Sequence, residues 1–258
     1  MKEQHPLWNG SYPLSSGYDA DWVFQNQMGP NPLWLTEWLC QDMGLGPGMR
    51  VLDLGCGKAL SSIFLAREFG VQVWADDLWI EPTENWQRIG QAGLADSVFP
   101  MNVEARQLPY AEEFFDAIVS VDSYQYYGTD DLYLNYITKL VKQGGRLGIA
   151  VPALMRDFDG SVPEHLVRRQ SNGGIFWAQE CWTLHTAEWW RHLWRRTDLV
   201  DIEVAEAMPD GWRLWLQWEK ALHESSAPKH FPSDVETLQE DGGRYLGFAR
   251  MIGRRRSS

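Results

Sequence analysis

The chain is short of basic residues, short of cysteine and without a long apolar run, and each shortage removes a class of function. Lysine and arginine number 23 against 35 aspartates and glutamates, for a net charge of −12. Nucleic-acid binders draw much of their affinity from a basic face that neutralises phosphates. The one basic cluster, Arg254, Arg255 and Arg256, reads as a solvated end, so neither nucleic acid nor an anionic membrane is expected as a partner. The three cysteines, Cys40, Cys56 and Cys181, show no CxxC and no zinc spacing. An odd few cannot build a disulfide framework. They read as buried thiols in a reducing compartment, and no metal site is expected. No stretch reaches the ~18 apolar residues of a membrane span. The start, MKEQHPLWNG, lacks the apolar core of a secretion signal. A cytoplasmic location without membrane insertion is the expectation.

What is present is a core. Apolar residues make up 44% of 258, enough for one generous domain or for a core domain with an inserted cap. Tryptophan is over-represented, at 15 residues. It clusters at Trp34 and Trp38, from Trp177 to Trp194, and at Trp212, Trp215 and Trp218. The plain reading is core filler on amphipathic helices; the sharper one is an aromatic-walled pocket.

Residues 1–29 are aromatic, polar and irregular. Asn31 is a good N-cap and Pro32 suits a first helical position, with Leu35, Trp38, Leu39 and Met43 on one face up to Gly44. From residue 50 strands and helices alternate. The strands are MRVLDL, VQVWADD, SVFPMNV, FDAIVSV and GGRLGIAVP. The helices are LSSIFLAREFG, PTENWQRIGQAGL and a stretch across DDLYLNYITKLV. This is the pattern of a parallel sheet covered on both faces. It breaks over 152–185, a long irregular stretch of the kind that is usually functional, and is expected to be an insert over the active site. The helix TAEWWRHLWRRT, the strand VDIEVAEAM, the helix DGWRLWLQWEKAL and the strand RYLGFARMI follow. The last two strands could pair antiparallel at the sheet edge.

Two spots carry chemistry. In VLDLGCGKAL a strand runs through Gly55 and Gly57 straight into a helix. Glycine there permits a tight turn and close approach of a ligand to the backbone, next to the unpaired N–H groups of the helix start. Ala59 stands where a third glycine would complete the dinucleotide fingerprint, which argues against a nicotinamide coenzyme. The next strand ends in Asp76 and Asp77. An acid about 20 residues past the glycine turn commonly accepts from ribose hydroxyls. Asp77 shares a face with Val71, Val73 and Ala75 and is preferred.

With these residues in register, the chain resembles the class I S-adenosylmethionine-dependent methyltransferases, small-molecule branch, a group that includes ubiquinone-biosynthesis, sarcosine and cyclopropane-synthase-like enzymes. VLDLGCGKAL resembles the first motif and VWADDLW the second. NVEARQLPYAEEFFDAIVSVDSYQYYG resembles the later block that leads into the fourth strand. The likeness covers about residues 48–151. It implies an α/β, Rossmann-like three-layer sandwich whose seven-stranded sheet is mostly parallel with an antiparallel edge strand. An N-terminal helical cap over 1–48 would precede a methyltransferase domain over 49–258 carrying the lid at about 152–185. The resemblance implies that Asp53, Gly55 and Gly57, with Lys58 and Ala59 of the same turn, hold the methionine end of S-adenosylmethionine. Asp77 would take the ribose, Leu78 and Trp79 would lie against the adenine, and Glu104 and the Ala105 backbone would serve its ring. Glu104 departs from the more usual aspartate. Val121 and Asp122 would lie near the transferred methyl.

Methyl transfer needs position more than a dedicated residue, but a base helps for some acceptors. Asp122, His185 and the tyrosines of SYQYYG are the candidates; a lone histidine near a helix start is more often structural. Tyr18, Tyr124, Tyr126, Tyr127, Trp177 and Trp182 are expected to wall a small-molecule acceptor pocket. Residues 1–29 and 152–185 are expected to close over it. A non-catalytic S-adenosylmethionine-binding protein, a nicotinamide oxidoreductase and a modifier of RNA or protein are the rivals. The sequence names neither the acceptor, the methylated atom nor the oligomeric state.

Overall fold

Two N-terminal helices, α1 (Ala20–Asn26) and α2 (Pro32–Cys40), lead into the alternating pattern in the computed structural model, which describes residues 5–229 and 232–257. The strands are β1 (Arg50–Leu54), β2 (Gln72–Asp77), β3 (Val98–Asn102), β4 (Phe115–Val121), β5 (Val141–Leu154), β6 (Val200–Ala207) and β7 (Leu246–Arg255). The further helices are α3 (Leu60–Phe69), α4 (Pro82–Gln91), α5 (Tyr133–Ile137), α6 (Glu164–Val167), α7 (Ala187–Arg195), α8 (Gly211–Glu224) and α9 (Val235–Asp241). The strand order is β3-β2-β1-β4-β5-β7-β6. The first five strands pair parallel, with Val51 beside Val73 on one side and Ala117 on the other. β7 runs antiparallel to both β5 and β6. The antiparallel strand thus lies at the expected end of the sheet, one place in, with β6 outermost.

Side chains alternate across the strands because successive residues point to opposite faces. Val51, Val73, Ala75, Val119 and Ile252 pack under α2, α3 and α8. Leu52, Ile118, Ile149 and Met251 face the other way, toward α5 and α7. Trp190, Trp194 and Trp218 are fully buried, so the plain reading of tryptophan as core filler holds for them.

The structure departs from the sequence-based expectation in four places. The segment 1–29 is not irregular throughout, although residues 1–4 lie outside the described residues. The Asp19 carboxylate accepts from Trp22 N (2.8 Å) and caps α1. The insert begins after Leu154 rather than at 152, because β5 stays paired with β7 as far as Leu246. It is also not one segment. The fold lays residues 155–186 against α9, which the pattern did not show. Asp241 binds His165 Nε2 through one oxygen (2.9 Å) and takes the Tyr245 and Leu246 amides on the other (3.1 and 3.0 Å). Finally, the arginine tail is not a solvated end. Arg254 and Arg255 belong to β7, Arg254 pairs with Glu203 (2.7 Å), and Arg256 reaches Asp198 and Asp201.

Candidate functional site

β1 stops at Leu54 and α3 starts at Leu60, so five residues must turn the chain at the C-terminal edge of the sheet. Gly55 (φ +78°) is required twice over: its backbone is left-handed, and a Cβ would stand 1.9 Å from Ser123 Oγ. Gly57 and Ala59 are also left-handed, at φ 53° and 62°. A left-handed alanine costs on the order of 1–2 kcal/mol, so the turn is held by its surroundings. Gly55 N and Cys56 N both donate to Asp76 O (2.8 and 3.0 Å). Gly57 N donates to Asp77 Oδ2 (2.8 Å).

Asp77 does more than end a strand. Its Oδ1 accepts from Trp79 N (2.8 Å) and Ile80 N (3.0 Å). A carboxylate offers about four acceptor positions, and described backbone amides fill three of them. Asp76 is its complement. Tyr110 Oη donates to Asp76 Oδ1 (2.6 Å), while the buried Oδ2 has no partner among the described residues. Burial pushes the Asp76 carboxyl up to about 7. Asp53 lies behind the turn rather than at it. Fully buried, its Oδ2 accepts from the Ser61 and Ser62 hydroxyls (2.6 Å each), and burial raises it to about 6 against those two bonds.

These elements open into a cavity of about 560 Å3. Gly55, Gly57, Lys58 and the start of α3 form one end of it. Asp77, Leu78 and Trp79 lie along the end of β2, with Glu104 and Ala105 beyond β3. Val121, Asp122 and Tyr127 close it at β4, with Tyr126 and Glu180 at its rim. Glu104 is engaged by Arg106, through the backbone amide (2.9 Å) and the guanidinium (3.1 Å). Tyr127 Oη donates to Leu54 O (3.3 Å) and sits 3.1 Å from Ser123 Oγ, which ties β4 to the turn.

A second cavity, about 430 Å3, adjoins the first. Both are lined by Met28, Gly29, Pro30, Asp122, Tyr126 and Glu180. Asp122 stands at that junction in a left-handed conformation (φ 51°). Gln125 Nε2 donates to its Oδ1 (3.0 Å). Its Oδ2 lies so near Gly29 that a Cβ there would stand 2.2 Å away. Burial, opposed by the Gln125 bond, raises the Asp122 carboxyl to about 7.

The structure therefore gathers most of the expected cofactor residues and disperses the expected acceptor wall. Asp53 and Ala59 do not line the first cavity. Tyr18 packs on Phe64 and donates to Glu68 (2.8 Å), on the helix layer. Tyr124 is wholly buried among Tyr133, Trp190 and Trp194. Trp177 stacks edge-on with Phe158, and Trp182 is 68% exposed. His185 lines neither cavity; it stacks on Trp189 at 3.6 Å, and burial lowers it to about 4. The aromatic and apolar wall comes instead from Phe176, Ile175, Leu184 and Trp215, with Tyr126. Of the described residues up to 29, only 26–29 line these two cavities, and α8 with the start of α9 completes what the insert leaves open. The pair Gly29-Pro30 before the Asn31 cap was a legible turn signal that pointed there.

Residues 51–145 match the family described as a methyltransferase domain. Methyltransferase GfsG of Streptomyces halstedii is 32% identical over 117 residues, 45% of this chain and 42% of that protein. The chain spans about half the length of the curated relatives it matches. Among solved structures, phosphoethanolamine N-methyltransferase 2 of Haemonchus contortus with bound S-adenosyl-L-methionine superposes with a TM-score of 0.70 at 19% identity, over 96% of this chain and 59% of that one. Geranyl diphosphate C-methyltransferase of Streptomyces coelicolor superposes at 0.62 and 16% identity, over 85% and 77%. The fold is shared by proteins whose names give different acceptors.

Proposed function

We propose that this chain, which carries a methyltransferase domain over residues 51–145, binds S-adenosylmethionine in the first cavity and methylates a small-molecule acceptor in the second. The observation that carries this reading is the junction at Asp122. A glycine turn and acid-bearing strand ends open into one chamber, and that chamber meets another at the half-buried Asp122 carboxyl. Ligands of open α/β sheets lie outside the carboxyl ends of the strands, where both chambers stand.

The residues fit the cofactor. The N-terminus of α3, which follows the turn directly, suits a carboxylate. Asp77 has one acceptor position that no described amide fills and Asp76 Oδ2 has no described partner, which together suit two ribose hydroxyls. Trp79 (72% exposed) and Leu78 (53%) offer bare apolar surface to a flat ring, with Glu104 and Ala105 opposite. When bound, S-adenosylmethionine supplies a methyl group on a cationic sulfur, an electrophile that needs positioning rather than activation. Holding the acceptor beside it can remove as much as ~7–11 kcal/mol of the barrier. Asp122, close to half ionised near neutrality, accepts a proton from the acceptor. Residues 28–30 and Glu180 line both cavities where they meet.

A reducing, cytoplasmic setting belongs to this reading, supported by the free thiols of Cys40, Cys56 and Cys181. The acidic charge balance supports a small molecule over nucleic acid as acceptor. Calorimetry tests the core of it. S-adenosylmethionine and S-adenosylhomocysteine are expected to bind and NAD is not; the opposite selectivity overturns the reading.

A further inference from the structure

The charged groups among the described lining residues of the second cavity are all acidic. Asp122 from the end of β4, Glu180 from the insert, Glu219 from α8 and Asp234 at the start of α9 all line it. Among its described lining residues there is no lysine, arginine or histidine. None of the four carboxyls forms an ion pair with a described residue. The fold forces two of them together, since Asp234 N donates to Glu219 Oε2 (3.2 Å). Like charges in a partly desolvated space oppose folding unless something compensates them. Burial and then Glu219 push the Asp234 carboxyl up to about 8, and burial raises Glu219.

A second observation is independent of the acids. Gln125 (1% exposed) and Gln170 (7%) belong to the same wall, and each has a buried Oε1 with no partner among the described residues. Buried carbonyl oxygens are almost always satisfied, so two in one wall point to a donor that the described residues do not supply. The rest of the wall, Phe176, Trp215, Ile175 and Leu184, suits an apolar body, and aromatic faces attract cations.

We propose that the second cavity takes an organic cation, a protonated amine held among Glu219, Asp234 and Glu180 with an apolar body against Phe176 and Trp215. This names the acceptor class for the reading above and rests on it only for the word acceptor. The three N–H donors of an ammonium group suit the carboxyls of Glu219, Asp234 and Glu180; an anion meets repulsion, and a neutral alcohol brings no positive charge to offset them.

The test is calorimetry on the full chain with 2-phenylethylammonium, 2-phenylethanol and 3-phenylpropanoate, three probes of similar shape and different charge, with and without S-adenosylhomocysteine. The ammonium is expected to bind at least about tenfold tighter than the alcohol, and the carboxylate not at all. The Glu219→Gln, Asp234→Asn double variant should lose that preference while its affinity for the alcohol and its melting temperature do not fall. Equal or tighter binding of the alcohol or the carboxylate overturns the proposal, as does a variant that weakens all probes alike. So does failure of every ammonium in a series from methylammonium to 4-phenylbutylammonium. Failure of S-adenosylhomocysteine to bind is a separate result. It sinks the methyl-transfer reading, while the amine titrations on the free chain still decide the cation.

Discussion

The two cavities that meet at Asp122 are built in opposite ways. The first is made largely of backbone at the ends of β1, β2 and β4, and its polar groups are tied to one another. Asp76 O takes two turn amides, Asp77 takes three more amides, and Tyr127 binds β1 to β4. The second is made of side chains from segments near residues 27, 125, 170–184, 215–222 and 232–234, and it contacts the sheet only at Pro152 and the mouth of β4. A frame of strand ends holds one geometry. A wall of side chains on loops and short helices can be rewritten residue by residue without disturbing the sheet. The division matches the reading that an invariant cofactor sits in the first and a particular acceptor in the second.

The sharpest way to break that contrast is Asp77→Ala. It leaves three backbone amides without their acceptor and removes a ribose partner. A hydrogen bond to a charged group is worth ~1.5–3 kcal/mol, so S-adenosylhomocysteine affinity should fall at least about tenfold. Asp77→Asn, which keeps one acceptor oxygen, should fall between. The Glu219→Gln, Asp234→Asn double variant should keep wild-type affinity for S-adenosylhomocysteine. If calorimetry finds Asp77→Ala unchanged, or the double variant as weak as Asp77→Ala, the two cavities are not separable.

Asp122 belongs to both cavities and should separate chemistry from binding. Asp122→Asn is isosteric and is expected to lower kcat by ~10²–10⁴-fold with S-adenosylhomocysteine affinity within about threefold of wild type. Its carboxyl sits at about 7 in the free chain, so wild-type activity should rise with pH up to that region and then level. An adjacent sulfonium favours the ionised form and moves the limb down, not up. The variant should show no such limb. A wild-type rate that is flat across the range, or a variant that keeps the limb, removes Asp122 as the base.

How much of this was readable in the sequence follows the same division. The turn and its acids are encoded locally: glycines at Gly55 and Gly57, an acid 20 residues on, period-two alternation along β2. Asp53 sits correctly at the end of β1, yet spacing does not reveal that Ser61 and Ser62 reach back to it. The acceptor wall has no local code. In the insert, Phe176 faces the cavity while its neighbour Trp177 turns away, its backbone amide bonded to Leu166 O (2.9 Å). That choice comes from tertiary contacts rather than from period or composition. The helix α1 carried a usable signal in Asp19. The helix α9 carried almost none, since its N-cap Asp234 makes no side-chain cap bond and the helix has only seven residues.

A smaller effect tests the buried acids as a set. Asp76 and Asp122 stand at about 7 and Asp234 at about 8, all raised by burial. An acid whose folded value is raised binds its proton more tightly in the folded state. Its contribution is therefore present at low pH and lost as pH climbs through the folded value. The ligand-free chain should melt higher at pH 6.5 than at pH 8.5, and each of Asp76→Asn and Asp234→Asn should shrink the difference. His185, lowered to about 4 by burial, acts in the opposite sense but only below its ordinary value near 6.5, outside this window. A melting temperature that rises from pH 6.5 to 8.5 contradicts the burial of these groups as carboxylic acids.

The smallest expected effects lie outside both cavities, where the contrast predicts indifference. The His185 ring lies flat on Trp189, with an interplanar angle of 10°, and its backbone carbonyl accepts from Leu154 N (3.2 Å). A ring that burial keeps neutral near pH 7 could act as a base only if it reached the acceptor, and it lines neither cavity. His185→Gln should cost about 0.5–1.5 kcal/mol of stability from lost stacking and leave kcat within about twofold. Trp182, at 68% exposed, should cost no more than about 0.5 kcal/mol when replaced by alanine, with an unchanged acceptor KM. Tyr124→Ala is the control for a buried ring and should cost ~3–5 kcal/mol. Denaturant melts and steady-state kinetics on the three variants decide the matter. A hundredfold loss of kcat in folded His185→Gln would move the catalytic centre off Asp122 and toward the insert.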